Sequence, residues 1–257
     1  DNHSWNCGHE GPGAPPEVER LRRRMTGSEQ PLFVGLINES TRNGLINYSA
    51  PAVNYFNADQ EGLLDLLSVR LYSGGGPHSL FMKTWAAGLA YSNGIRSSET
   101  TGEIGYYAER CPSLVQTVQF VVDELRNAGY DKSLSEYAIA LTFGAGRAAD
   151  RYEVRGRRMA ADLADGITPE AVSSFRQGIL DLRQDAGLYD KLASRLEAVT
   201  GRILPGWGPK LSEVQDASCL LIGPESQFEA FEEYLKAVEG EDVVLYRIYP
   251  RDFWLVN

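Results

Sequence analysis

The constraint that narrows the fold most is a repeated order of elements: two strand-like segments followed by a helix, met twice in the first half of the chain. "PLFVGLINES" and "NGLINYSAPAVNY" are apolar or alternating runs separated by a turn around Asn43 and Gly44, the pattern of two strands able to pair in one antiparallel sheet. From Ala58 to Tyr72, Leu63, Leu66, Leu67 and Leu71 recur at helical spacing, and Asp59 and Glu61 suit the positive end of the helix dipole. The second round comprises "KTWAAGLAYSNGIR", which runs from a helix end into a polar strand, then "GEIGYYAERC". The helix that follows has Pro112 in its first turn, Leu114, Val118, Val121, Val122 and Leu125 on one face, and Gly129 as terminator.

After Lys132 the pattern turns helical, with helices predicted over Ser135 to Phe143, Ala148 to Ala164, Thr168 to Arg183 and Leu188 to Val199. In the third of these, Thr168 is placed as N-cap and Pro169 at the first helical position, with Val172, Phe175, Ile179 and Leu182 as the buried stripe. The chain then returns to mixed structure: "CLLIG" as a strand, Glu225 to Val238 as a helix and "DVVLYRIYP" as a strand. Locally mixed strands and helices with a helical block inserted predict an α+β fold with a largely antiparallel sheet. Residues 1–30, rich in Gly and Pro before the basic stretch "PEVERLRRRM", are expected as an irregular arm and a short helix, and 31–257 as the α+β body.

Composition removes several functions. A net charge of −10 disfavours general affinity for nucleic acid or an anionic membrane surface, since both begin from accumulated positive charge. No apolar run reaches the roughly 18 residues of a membrane span. The first residues have no signal-peptide pattern and no initiating methionine, so the expectation is a segment of a longer or processed chain. Cys7, Cys111 and Cys219 are widely spaced without a C-x-x-C pair, which indicates neither a disulfide framework nor a zinc cage and fixes no compartment.

Zinc-hydrolase spacings are missing. His9 and Glu10 begin an H-E-x-x-H pattern, but Gly13 stands where the second histidine belongs, and H-x-x-E-H fails after His3, His9 and His78. No metal ligand is therefore assigned to this chain. A G-x-S-x-G elbow is absent, and "SGGGPHS" lacks the G-K-[ST] ending of a phosphate loop and follows a helix rather than a strand. In "GAGRAADRYEVRGRRM", Arg151, Arg155 and Arg158 share a helical face, read mainly as a solvated surface beside Asp150, Glu153 and Asp162, with contact to an anion or acidic partner as the other reading.

"LFMKTWAAGLAYSNGIR" resembles the carboxyl-terminal half-domains of the M16 peptidases, which include insulysin, pitrilysin, presequence protease and the mitochondrial processing peptidase subunits. Those halves carry L-F-x-x-L-R on a helix and, a few residues on, G-L-A-Y-S on a strand; Leu80, Phe81, Gly88, Leu89, Ala90, Tyr91 and Ser92 match. The resemblance implies a LuxS/MPP-like metallohydrolase half built as a duplicated α+β unit, with sub-units at about 31–131 and 132–257. It implies a non-catalytic half that closes a chamber on unfolded peptide over a homologous, zinc-bearing half, in the same chain or a separate subunit. Zn then belongs to that partner, and this chain alone is expected to be inactive. The resemblance gives Tyr91 a role on the substrate carbonyl as it becomes an oxyanion. The family's arginine, however, is replaced by Thr84 and Trp85, with Lys83 one place earlier. Lys83, Thr84, Arg96 and His78 are thus the candidate substrate-binding residues. The missing arginine also permits an alternative, an inactive scaffold subunit of the same fold.

Overall fold

A computed structural model describes residues 32–128, 132–144, 151–250 and 252. The expected arm and basic helix, Gly129 and Cys7 lie outside them. The described elements run β1 (Phe33–Ile37), β2 (Gly44–Pro51), α1 (Gln60–Arg70), α2 (Leu80–Ala86), β3 (Ser92–Ser98), β4 (Glu103–Cys111), α3 (Leu114–Arg126), α4 (Ser133–Gly144), α5 (Tyr152–Ala164), α6 (Pro169–Arg183), α7 (Leu188–Thr200), β5 (Ser218–Gly223), α8 (Glu225–Glu239) and β6 (Leu245–Ile248). The expected α+β architecture is present, as one six-stranded sheet in the order β3-β4-β2-β5-β1-β6.

The sheet is mixed. β3, β4, β2 and β5 pair antiparallel in turn, whereas β1 runs parallel to both β5 and β6. The parallel pairs follow from connectivity: β5, α8 and β6 form a crossover, and a helix between two strands of one sheet returns the chain in its original direction. β1 sits between those two strands, and the sheet thereby joins strands from both sides of residues 131 and 132.

Alternation along the strands sets which face is covered. Ile46, Tyr48 and Ala50 on β2, Ile104, Tyr106 and Ala108 on β4, and Cys219 and Leu221 on β5 are buried, while their neighbours Leu45, Asn47, Tyr107 and Ile222 are half-buried and Leu220 is exposed. Helices close on the buried face. A Cβ added to Gly35 would meet the Phe228 ring of α8 at 2.8 Å, and one on Gly44 would meet Leu114 of α3 at 2.6 Å. The helical block stacks on α1: a Cβ at Gly178 of α6 would come within 2.6 Å of Leu63, and Ser68 Oγ donates to the Leu192 carbonyl of α7 at 3.1 Å. Arg195 of α7 bridges Asp65 and Glu61 of α1.

Local sequence chemistry ends the helices where expected. Thr168 accepts from Ala171 N at 3.2 Å, the N-cap that the sequence places there, and Asp59, expected only as an acidic residue near the positive end of the dipole, is itself the N-cap of α1, accepting from Gly62 N at 2.7 Å. In α6, Phe175, Ile179 and Leu182 are buried and Val172 is half-buried.

Candidate functional site

The stretch around Tyr91 begins on α2, a short helix capped by Ser79, whose hydroxyl accepts from Met82 N at 3.3 Å. Gly88 ends it at φ +71°, with Gly88 N donating to Trp85 O at 3.0 Å and Leu89 N to Thr84 O at 3.1 Å. These are the two bonds of a Schellman stop, which needs a left-handed residue where glycine stands. Four residues later the chain is already in β3, at the edge of the sheet.

Beside it, β4 carries an extra residue. Gly44 pairs with Cys111 and Ile46 with Ala108, so Glu109 and Arg110 together face the single Leu45. Arg110 absorbs this bulge at φ +54°, a costly conformation for a side chain other than glycine. The bulge turns Arg110 outward and lets Cys111 return to the core. Tyr91 N donates to Glu109 O at 3.0 Å, which extends the β3–β4 ladder. The Tyr91 ring, 63% exposed, lies 4.7 Å from the Arg110 guanidinium. A contact of this kind is worth about 0.5–1 kcal/mol at an exposed site. At the other end of the hairpin, Arg70 of α1 donates to Ser97 Oγ at 2.9 Å and pairs with buried Glu99, which fixes the edge strand to the core helix.

The other candidate residues take different positions. Arg96 lies on the uncovered face, with its guanidinium 3.3 Å from the Tyr107 ring centroid and 3.9 Å from Glu109. It borders a shallow groove of about 270 Å³ over Gly105, flanked by Asn47, Ser49, Ser98 and Glu103. Lys83 Nζ donates to Glu124 of α3 at 2.6 Å, so its charge is engaged in tying two helices together. Thr84 is fully buried, its hydroxyl without a partner among the described residues, and so presents no group to a ligand. His78 packs edge-on against Tyr137 of α4 at 4.7 Å; burial first, and then the nearby Lys83 charge, lower its pKa and favour the neutral ring.

Arg110 is the residue that the sequence reading missed. Its signal was a broken alternation: Ile104, Tyr106 and Ala108 point inward, the next inward place falls on Arg110, and the apolar Cys111 follows one residue late.

Among the described residues no group of three His, Cys, Asp or Glu is placed to hold a metal ion, so these residues do not offer a fit for zinc. Cys111 and Cys219 are buried free thiols; burial raises both pKa values, that of Cys111 to about 11. Neither is poised as a nucleophile at neutral pH.

No family profile matches the sequence, and no curated protein matches it. Solved structures align with parts of it. A protease from Helicobacter pylori aligns with a TM-score of 0.49 at 9% identity, over 74% of this chain and 44% of its own. A candidate M16-like peptidase from Alicyclobacillus acidocaldarius aligns at 0.43 and 14%, over 74% and 43%. The inactive peptidase domain of a candidate zinc protease from Bordetella parapertussis aligns at 0.43 and 14%, over 59% and 84%. The chain therefore spans less than half the length of the first two of these, and at such scores and identities the likeness assigns no activity.

Proposed function

We propose that this chain is the non-catalytic, substrate-facing part of an M16-type zinc peptidase, closing a peptide chamber over a homologous half that carries the metal. The observation that carries the reading is the exposed Tyr91 beside Arg110 at the end of the edge strand. Its chemistry suits a peptide carbonyl. A phenol O–H donates to an oxygen that gains negative charge as the tetrahedral intermediate forms, and an adjacent guanidinium adds positive potential that strengthens with that charge. Arg110, reaching Tyr91 from the neighbouring strand, supplies the cation that the M16 resemblance leaves vacant at Thr84 and Trp85. Arg96 and the groove beside Gly105 extend a polar surface along the same hairpin. Zinc, its water and the proton transfers belong to the partner half.

The test adds this chain to the zinc-bearing half and follows cleavage of an unfolded fluorogenic peptide. The chain alone should be silent and the combination active and chelator-sensitive. Tyr91→Phe and Arg110→Ala should each lower turnover by about 10- to 100-fold with a smaller change in KM, the mark of an interaction made in the transition state. Unchanged turnover in both variants would remove the site.

A second reading, an inactive scaffold of the same fold, draws on the engagement of Lys83 by Glu124 and the burial of Thr84. It predicts that the partner half gains stability from this chain but that its cleavage rate ignores both substitutions.

A further inference from the structure

β1 and β5, paired in the parallel ladder, are apolar on both sides. They read FVGLI and SCLLIG, near-continuous runs of the kind found where a strand is buried on both faces. The helices close on one face, where Phe33, Ile37, Cys219 and Leu221 are buried; on the other, Leu220 is 40% exposed and Val34, Leu36 and Ile222 are half-buried. Strand register orders this second face into rows. Leu45 pairs with Ile222, Ile222 with Leu36 and Leu36 with Ile248, so four aliphatic side chains cross β2, β5, β1 and β6 in one line. Leu220 and Val34 stand side by side in the adjacent row. The line begins at the β4 bulge, because Leu45 is the residue that Glu109 and Arg110 face together, with Tyr91 beside Arg110.

Building on the peptidase reading, and dependent on it, we infer that this aliphatic row holds an apolar stretch of the substrate peptide and so selects which unfolded segments reach Tyr91. Continuity names the occupant. The row starts at the residues proposed to meet the scissile carbonyl, so a peptide held there lays its neighbouring residues over Leu45 and Ile222. Another folded surface seated permanently along this line would lie against Arg110 and close the site. The chemistry agrees: no charged side chain enters the row, and Arg96, Glu103 and Glu109, the charges beside it, belong to the β3–β4 hairpin. Neighbouring strands are about 4.8 Å apart, so the path from β4 to β6 spans about 19 Å, the length of about six residues of extended chain. Alternate side chains of such a chain point the same way. The row therefore takes apolar residues at positions i and i+2, within about six residues of the scissile bond and on one side of it.

Fluorescence anisotropy with the intact chain alone tests it, using two labelled, unfolded decapeptides that differ only in carrying leucine or serine at two alternate positions. The leucine peptide should bind at least about tenfold more tightly than the serine peptide. Leu36→Thr combined with Ile222→Thr keeps strand-forming residues at outward positions, and circular dichroism checks that the variant is folded. It should reduce the preference to within about threefold and leave binding of the serine peptide unchanged. Equal binding of the two peptides by the wild-type chain, or a preference that survives the double variant, overturns the inference without touching the role of Tyr91. A preference lost in the double variant, with turnover beside the zinc-bearing half indifferent to Tyr91→Phe and Arg110→Ala, supports the row and removes the peptidase reading. Self-association, or affinity for the zinc-bearing half, that the double variant abolishes while peptide binding is unaltered would assign the row to a protein interface and overturn the inference.

Discussion

Arg110 shows how much one backbone conformation decides. The left-handed φ of a bulky residue is unfavourable by about 1–2 kcal/mol, and it is held here by the bulge opposite Leu45. Without that extra residue, Arg110 would point into the core that Cys111 fills, and Tyr91 would lose the cation beside it. A second residue of interest is Glu239, 5% exposed at the end of α8, whose carboxylate accepts from Leu211 N at 2.8 Å. Burial, the largest influence, raises its pKa above the ordinary carboxylate value, against the backbone N–H groups of Leu211 and Ser212 and the charge of Lys210. A folded-state pKa above the unfolded one contributes stability that is full below the unfolded value and is lost as pH rises through the folded value. Glu239→Gln removes that loss. Thermal melting across pH 4 to 7 should show the variant gaining on the wild-type chain as pH rises; a difference independent of pH would refute the assignment.

At the scale of elements, the Schellman stop of α2 aims the candidate site. Gly88 has open space around its missing Cβ, so Gly88→Ala carries only the conformational cost, about 1–2 kcal/mol in urea unfolding. Gly88→Asn should cost less, because asparagine tolerates the left-handed region. Equal losses would mean that the glycine serves packing instead. Such local devices were legible beforehand: Thr168 before Pro169, Asp59 before the leucine stripe, and alternation in β2 and β4 all specify their elements from a few neighbouring residues. The β4 bulge was visible only as an interruption of period two, which by itself does not reveal the direction in which the extra residue turns.

For the whole molecule, stability rests on helices packed against one face of the mixed sheet. Phe231 of α8 is fully buried in that layer, so Phe231→Ala should destabilise the chain by about 3–5 kcal/mol, measured by urea unfolding. Loss of less than about 1 kcal/mol would indicate a layer that collapses readily around the cavity. The uncovered face carries Arg96 and Tyr107 of the hairpin, and the exposed Tyr91 and Arg110 stand together at its open end.

The sequence by itself determined the elements, their caps and periodicities, and the α+β class, because each depends on residues within a few positions of one another. Tertiary structure alone decided that β5 enters between β2 and β1, that Lys83 is claimed by Glu124, that Thr84 is buried, and that Arg110 stands beside Tyr91. Each of those depends on partners far apart in the chain, brought together by strand register and helix packing. The guanidinium beside the Tyr91 ring comes from nineteen residues further along the chain, carried there by hairpin register.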